Sequence, residues 1–326
     1  MSGVGCQRGR SLWSIGRGAP LVAALLVACG GAPSEPGGNG GGGNNPPPGP
    51  TVYVPGVSYY GTNQYVEYVA GDLPVIVTAP HGGSLRPAEM PDRASPDTLR
   101  DANTQELVRA IDSAFAVTTG HHPHVVICRV HRVKLDCNRE ESVGAGTDPD
   151  SRTAWEDFQR FVGVARAAVV AASGRGLLLD IHGHGHTIQR LELGYLLSGT
   201  QLGLADSVLD QAGWRDSTSI RDLLGRAGQP LTTVLRGPNG LGTLFAAQGF
   251  PSVPSATDPA PNGTPYFSGG YLSETYGSRN GGSVSAVQIE SNFTGVREAP
   301  ATRAAFAGAF VVVVREYLAA WLGIGT

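Results

Sequence analysis

The sequence predicts an α/β fold: a single domain on a mostly parallel or mixed central sheet, with helices flanking it. Two observations predict it. Four short apolar runs rich in Val, Ile and Leu, at residues 73–79, 125–130, 176–181 and 283–289, read as strands buried on both faces. Stretches with helical spacing of apolar residues lie between and after them. A third observation removes alternatives. With 41% hydrophobic residues the chain is too apolar to be disordered, and a net charge of −3 excludes a generally basic nucleic-acid surface.

The N-terminal 50 residues read as address and tether. Arg8, Arg10 and Arg17 form a positive region, followed by an apolar run at 21–28 and then Cys29. The run is too short to span a bilayer. Leu26-Val27-Ala28-Cys29 resembles the bacterial lipoprotein signal, in which the cysteine is lipidated and becomes the new N-terminus. Residues 1–28 are therefore expected to be a signal peptide, and Cys29 a lipid anchor in the bilayer. Residues 30–50 hold nine Gly and six Pro, too little apolar surface to offset chain entropy, so 29–50 is expected to be a flexible tether. Losing residues 1–28 removes three arginines and no acid, taking the charge from −3 to −6, so lipid rather than charge would hold the protein at a membrane. The expected location is extracytoplasmic, and residues 51–326 are the expected catalytic domain.

Within that domain the first strand, 73–79, leads into Pro80-His81-Gly82-Gly83. A helix is expected after Asn103-Thr104, with Leu107, Ile111 and Phe115 spaced by four. A second carries Trp155, Phe158, Phe161, Val162 and Ala165, opened by a capping-box pattern at Thr153-x-x-Glu156. The third strand, 176–181, leads into His182-Gly-His184-Gly-His186, and the fourth into Glu290. A last apolar helix starts after Pro300 and runs to about Leu322.

All eight histidines fall between residues 81 and 186, and two of them, His81 and His182, follow buried strands directly. Carboxyl ends of parallel strands are where open α/β sheets bind ligands. A catalytic zinc takes three protein ligands and keeps an open position, so His81 and His182 are expected metal ligands. Asp101 is the expected third, with helix capping as its alternative role and Asp97 and Glu89 as weaker candidates. Asp180, two residues before His182 on the same strand face, is placed to orient that imidazole. His184 and His186 permit a local metal reading, but the interleaved glycines suggest a loop, so both are read as pocket lining. The cluster His121-His122-Pro123-His124 reads as an exposed turn. Residues 266–271 have the glycines of a mobile loop between aromatics and, with Tyr276, could cover a substrate; an ordinary surface turn is the alternative, and the loop is left outside the expected site. Arg129, Arg132 and Arg139 in eleven residues suit a bidentate carboxylate clamp, or a solvated charged hairpin. Cys128 and Cys137 are an even pair in an exported domain, which favours a disulfide over two buried thiols.

Taken in order, Pro80-His81-Gly82-Gly83, Asp101-x-x-Thr104, Arg132-x-x-x-Asp136-x-Asn138-Arg139, Asp180-Ile-His182-Gly183 and Glu290 resemble the N-formylglutamate amidohydrolase family. That family is related to the zinc carboxypeptidases and shares their α/β core. The resemblance covers about residues 73–297. It implies one zinc ion per chain held by His81, His182 and an acid. Carboxypeptidases place that acid three residues after the first histidine, where this chain has Ser84, and Asp101 is the family-consistent substitute. It further implies that Asn138 and Arg139 hold a substrate carboxylate and that Arg132 polarises the scissile carbonyl. Glu290 would take a proton from the attacking water and pass it to the leaving amine.

The expected function is thus zinc-dependent hydrolysis of an amide next to a free carboxylate, in an N-acyl or N-formyl amino acid or a C-terminal peptide. One alternative is a non-catalytic lipoprotein that binds zinc and a carboxylate. Another is a serine esterase, since His81-Gly-Gly resembles an esterase oxyanion loop, but the chain has no Gly-x-Ser-x-Gly elbow.

Overall fold

The computed structural model describes residues 52–94 and 97–325; the expected signal peptide, Cys29 and the tether lie outside them. The strands are β1 (Ser58–Tyr60), β2 (Val66–Val69), β3 (Val75–Ala79), β4 (His124–Cys128), β5 (Gly176–Gly183), β6 (Leu191–Gly194), β7 (Ser252–Val253) and β8 (Val284–Ser291). They form one sheet in the order β1-β2-β4-β3-β5-β8-β6-β7. The sheet is mixed, as expected. The four strands legible as apolar runs, β4, β3, β5 and β8, are its contiguous parallel centre. Antiparallel neighbours, β2 on one side and β6 on the other, extend it.

Alternate residues of the central strands feed two cores. On one face Val75, Val77, Leu177, Leu179, Val287 and Ile289 pack against two helices, α1 (Thr104–Thr119) and the C-terminal helix (Pro300–Leu322). Leu107, Ile111 and Phe115 form the buried stripe of α1, and Phe115 meets Phe310 edge-on at 6.4 Å. On the other face Ile76, Val126, Leu178 and Ala286 meet Phe158, Phe161 and Val162 of α2 (Pro149–Ser173). Each such aromatic or branched side chain contributes about 1.5–3 kcal/mol by leaving water.

Helix α2 begins earlier than its sequence pattern suggests. Asp148 caps it by accepting the Ser151 N–H at 2.8 Å, with Pro149 in the first turn. Thr153 lies inside the helix and bonds back to the Pro149 carbonyl, so no capping box forms at Thr153-x-x-Glu156. The expected disulfide is also absent: Cys128 and Cys137 are both buried free thiols. Burial, together with the neighbouring Cys128 thiol, pushes the Cys137 thiol up. His124 is not in an exposed turn either; it is buried at the start of β4, with the Tyr68 hydroxyl 2.8 Å from its Nδ1.

On the α2 face the strands change character toward their carboxyl ends. Ile76 gives way to Thr78, Leu178 to Asp180 and His182, and Ala286 to Gln288 and Glu290. Continuing the same side-chain parity, these polar groups share one face. His182, Glu290 and Glu192 stand in register on β5, β8 and β6. That polar end of the sheet opens into a cleft of about 1020 Å³.

Candidate active site

Parallel pairing of β3 with β5, Thr78 opposite Asp180, delivers His81 and His182 side by side at the strand ends. Their rings are 4.7 Å apart at 73°. Asp101 sits in the turn before α1, where its N–H donates to the His81 carbonyl at 3.1 Å. Its Oδ2 lies 3.2 Å from His182 Nδ1 and 3.4 Å from His81 Nδ1, and accepts the Gly183 N–H at 3.2 Å. The three donor atoms fall within 4.8 Å of one another. Asp101 is thus the acid that meets both histidines. Asp97 pairs with Arg139 instead, and Glu89 with the Tyr65 hydroxyl.

Each imidazole is fixed from behind by a carboxylate. His81 Nε2 lies 2.6 Å from Asp136 Oδ1, and His182 Nε2 lies 2.8 Å from Asp180 Oδ2. Asp180 is held in turn by the Thr78 hydroxyl at 2.6 Å. With the proton on Nε2, each Nδ1 lone pair faces the shared centre. Asp136 is the partner that sequence reasoning left without a role. It is fully buried and also takes the Asn138 N–H and the Arg132 Nε–H, both at 3.0 Å.

The electrostatics of this cluster call for a cation. Burial would raise the Asp101 carboxyl, but the His182 and His81 imidazoles against it outweigh this and hold Asp101 well below the usual carboxylate range. Burial would likewise disfavour a charged His182, yet Asp180 and Asp101 raise its proton affinity well above the ordinary imidazole value. His81 Nδ1 is buried and makes no hydrogen bond. An orphaned nitrogen beside a second imidazole and a carboxylate is the donor set of a zinc-type ion, so the residues present fit that group.

Glu290 faces the cleft from β8, in register with His182. Burial pushes its carboxyl up to about 7, against the opposing pull of the His182 charge. Gln288 Nε2 donates to its Oε1 at 3.0 Å. Arg132 and Arg139 also line the cleft. Arg132 NH1 is 3.9 Å from Asp101 Oδ1, and Arg139 donates to Asp97 Oδ2 at 2.7 Å while staying about half exposed. Asn138 lines the cleft as well. Its Oδ1 accepts the Leu272 N–H at 2.8 Å, which fixes the amide, and its Nδ2 lies 3.2 Å from His182 Nε2.

Two features lie outside the expected site residues. Arg297 is a buried cation whose guanidinium donates to the carbonyls of Ser291 at 3.0 Å, Ala102 at 2.5 Å and His184 at 3.0 Å. It ties together the segments that follow Glu290, Asp101 and His182. Nothing in its local sequence marks it. The loop 266–271, left outside the expected site, is a wall of the cleft. Tyr266 donates to the Leu193 carbonyl at 2.5 Å, and the Phe267 N–H donates to Glu192 at 2.9 Å. The loop backbone also passes so close to Gly194 that a Cβ there would lie 2.4 Å from Gly269 N.

The fold and site together define a mixed α/β sheet with a His₂Asp cluster at the carboxyl end of its parallel strands. No protein-family profile and no curated protein sequence matches the chain. Among solved structures it is similar to N-formylglutamate amidohydrolase from Ralstonia eutropha, at 15% identity and TM-score 0.44, over 78% of this chain and 96% of that one. A gene product of Agrobacterium tumefaciens is similar at 15% identity and TM-score 0.44, over 78% and 95%. The succinylglutamate desuccinylase from Chromobacterium violaceum follows at 12% identity and TM-score 0.33, over 80% and 70%.

Proposed function

We propose that the domain is a zinc-dependent hydrolase that cleaves an amide bond next to a free carboxylate, in an N-acyl or N-formyl amino acid or a C-terminal peptide. The observation that carries this reading is the buried cluster of His81, Asp101 and His182, with its outer nitrogens locked by Asp136 and Asp180 and Glu290 beside it. The motifs that resemble the N-formylglutamate amidohydrolase family, dispersed over two hundred residues, meet in this one cleft.

His81, Asp101 and His182 would hold the ion, which when bound supplies Lewis acidity and lowers the pKa of a coordinated water. The protein's own groups do the rest. Glu290, whose proton affinity lies near neutrality, accepts the proton of the attacking water and returns it to the departing nitrogen. Arg132, 15% exposed and held by Asp136, presents its guanidinium to the developing oxyanion. Arg139 at the cleft mouth exchanges Asp97 for the carboxylate of the substrate. We further propose that Cys29 is lipidated and that the domain works outside the cytoplasm, where N-acyl amino acids or peptide fragments with free C-termini are the fitting substrates.

The test is hydrolysis of a panel of N-formyl and N-acyl amino acids and short peptides by zinc-loaded protein and by His81→Ala. The proposal expects turnover of at least one such class and its loss in the variant. Unchanged hydrolysis in His81→Ala would contradict it. Mass spectrometry of the N-terminal peptide from membrane fractions tests the anchor, with a diacylated Cys29 expected and an unmodified one opposing it.

A further inference from the structure

A second group of donors shares no residue with the first: His184 and His186 line the same cleft, and the buried Glu192 lies against His186. His184, His186 and Glu192 bring three ligand atoms within 4.8 Å of one another. We propose that these residues form a second divalent-metal site. This goes beyond the proposed hydrolysis and does not depend on it.

The geometry is that of supported ligands. Metal-binding histidines direct one nitrogen to the ion and donate the other N–H to a carbonyl or carboxylate. His184 Nε2 lies 2.8 Å from the Arg190 carbonyl, so its proton sits there and its Nδ1 lone pair is left for coordination. That lone pair meets the His186 backbone N–H at 3.1 Å, a contact two residues along the chain that the ion would replace. His186 Nδ1 faces Glu192 Oε1 at 2.8 Å. In the metal-free protein one proton joins these two atoms; on binding, the ion takes its place and the proton leaves to solvent. The second oxygen of Glu192 accepts the Phe267 N–H at 2.9 Å, so the carboxylate is braced as well.

The rings are pre-positioned. His186 stacks on Phe267 at 4.9 Å and 14°, and its other neighbour, His184, lies 5.0 Å away. Glu192 is buried on β6, and His184 follows the end of β5. Little side-chain entropy remains to be lost on binding. Two imidazoles and one carboxylate select a zinc-like borderline ion and not calcium or magnesium, which need six or more oxygens or a largely hydrated octahedron.

Sheet register places the new site relative to the first. Glu290 lies opposite His182 on one side and Glu192 on the other. At about 5 Å per strand step, the His182 and Glu192 backbones are about 10 Å apart. That exceeds the roughly 4 Å of two-metal catalysis. The second ion is therefore a separate centre, held from β6 on the side of Glu290 opposite His182.

The experiment is metal stoichiometry. The full-length chain, purified in detergent, is stripped with chelator, dialysed against buffered zinc and measured by plasma mass spectrometry. The wild type is expected to hold two ions per chain, and His186→Gln one. His186 is partly exposed, so this variant is a mild change, and circular dichroism checks that it folds. His184→Gln serves as the independent variant. His81→Gln is expected to lose the other ion and retain this one. A wild type with one ion, unchanged in folded His186→Gln, overturns the second site. One ion lost in His186→Gln but kept in His81→Gln would uphold it and contradict the site proposed for hydrolysis.

Discussion

Asp136→Asn isolates the link between the buried carboxylate and the first cluster. Asp136 is fully buried and serves three donors: His81 Nε2 at 2.6 Å, Asn138 N–H at 3.0 Å and Arg132 Nε at 3.0 Å. Asparagine keeps the shape but offers one acceptor oxygen, and its NH₂ must face Arg132 or His81, both donors. The substitution also removes the negative charge while Arg93, 3.5 Å away, and Arg132 stay in place. Leaving buried charge uncompensated costs about 3–5 kcal/mol of stability. If the amide NH₂ turns to His81, the tautomer flips and Nδ1 carries the proton instead of a lone pair. Loss of such an outer partner lowers metal affinity about 10–100-fold, or roughly 1.4–2.7 kcal/mol. Denaturant unfolding measures the first effect, and zinc competition against a chromophoric chelator measures the second on protein verified as folded. A folded variant with wild-type zinc affinity would refute the view that Asp136 sets the His81 tautomer.

Other expectations follow from the same geometry. Glu290 is raised from 4.5 to about 7, so the folded, metal-free protein holds a proton that the unfolded chain releases. Stability therefore falls as pH rises from about 4.5 to 7, by at most about 3 kcal/mol. Denaturant curves of Glu290→Gln should lack this component, and a parallel pH profile in both proteins would contradict the assignment. Gly183→Ala places a Cβ 2.3 Å from the Arg297 guanidinium carbon, so the clamp on the Ser291, Ala102 and His184 carbonyls must shift. Overpacking of this kind costs about 1–3 kcal/mol and several degrees in Tm, and an unchanged melt would argue against that clamp. Cys128 and Cys137, both buried thiols, should be alkylated only after unfolding; a melting temperature that drops on reduction would instead reveal a bridge.

The centre of the sheet was legible because β3, β4, β5 and β8 are buried on both faces and so appear as unbroken apolar runs. The outer strands were not. β2 contains Glu67, whose carboxylate is neutralised by Arg109 at 2.8 Å, and β6 contains Glu192. A glutamate in a four-residue strand reads as loop until its partner is known. The start of α2 was misplaced because Thr153-x-x-Glu156 imitates a cap that Asp148 already provides. His81 and His182 stood out because both follow strands and precede glycine, a local signal. Asp136 and Arg297 act through contacts 55 residues and more than a hundred residues away in the chain, and no local pattern carries that information. The Leu272 N–H that holds the Asn138 oxygen likewise comes from 134 residues away, a contact its motif position does not reveal.

Glu290→Gln offers the decisive comparison, because it removes the proposed base but none of the atoms of the His81, Asp101 and His182 cluster. Zinc content and hydrolysis of N-acyl amino acids are measured on the same preparation. The expected result is unchanged zinc at the first cluster with turnover lowered about 100-fold or more, in line with loss of a general base. Full turnover in a zinc-loaded Glu290→Gln protein would contradict the assignment of this cleft as a Glu290-driven amide hydrolase.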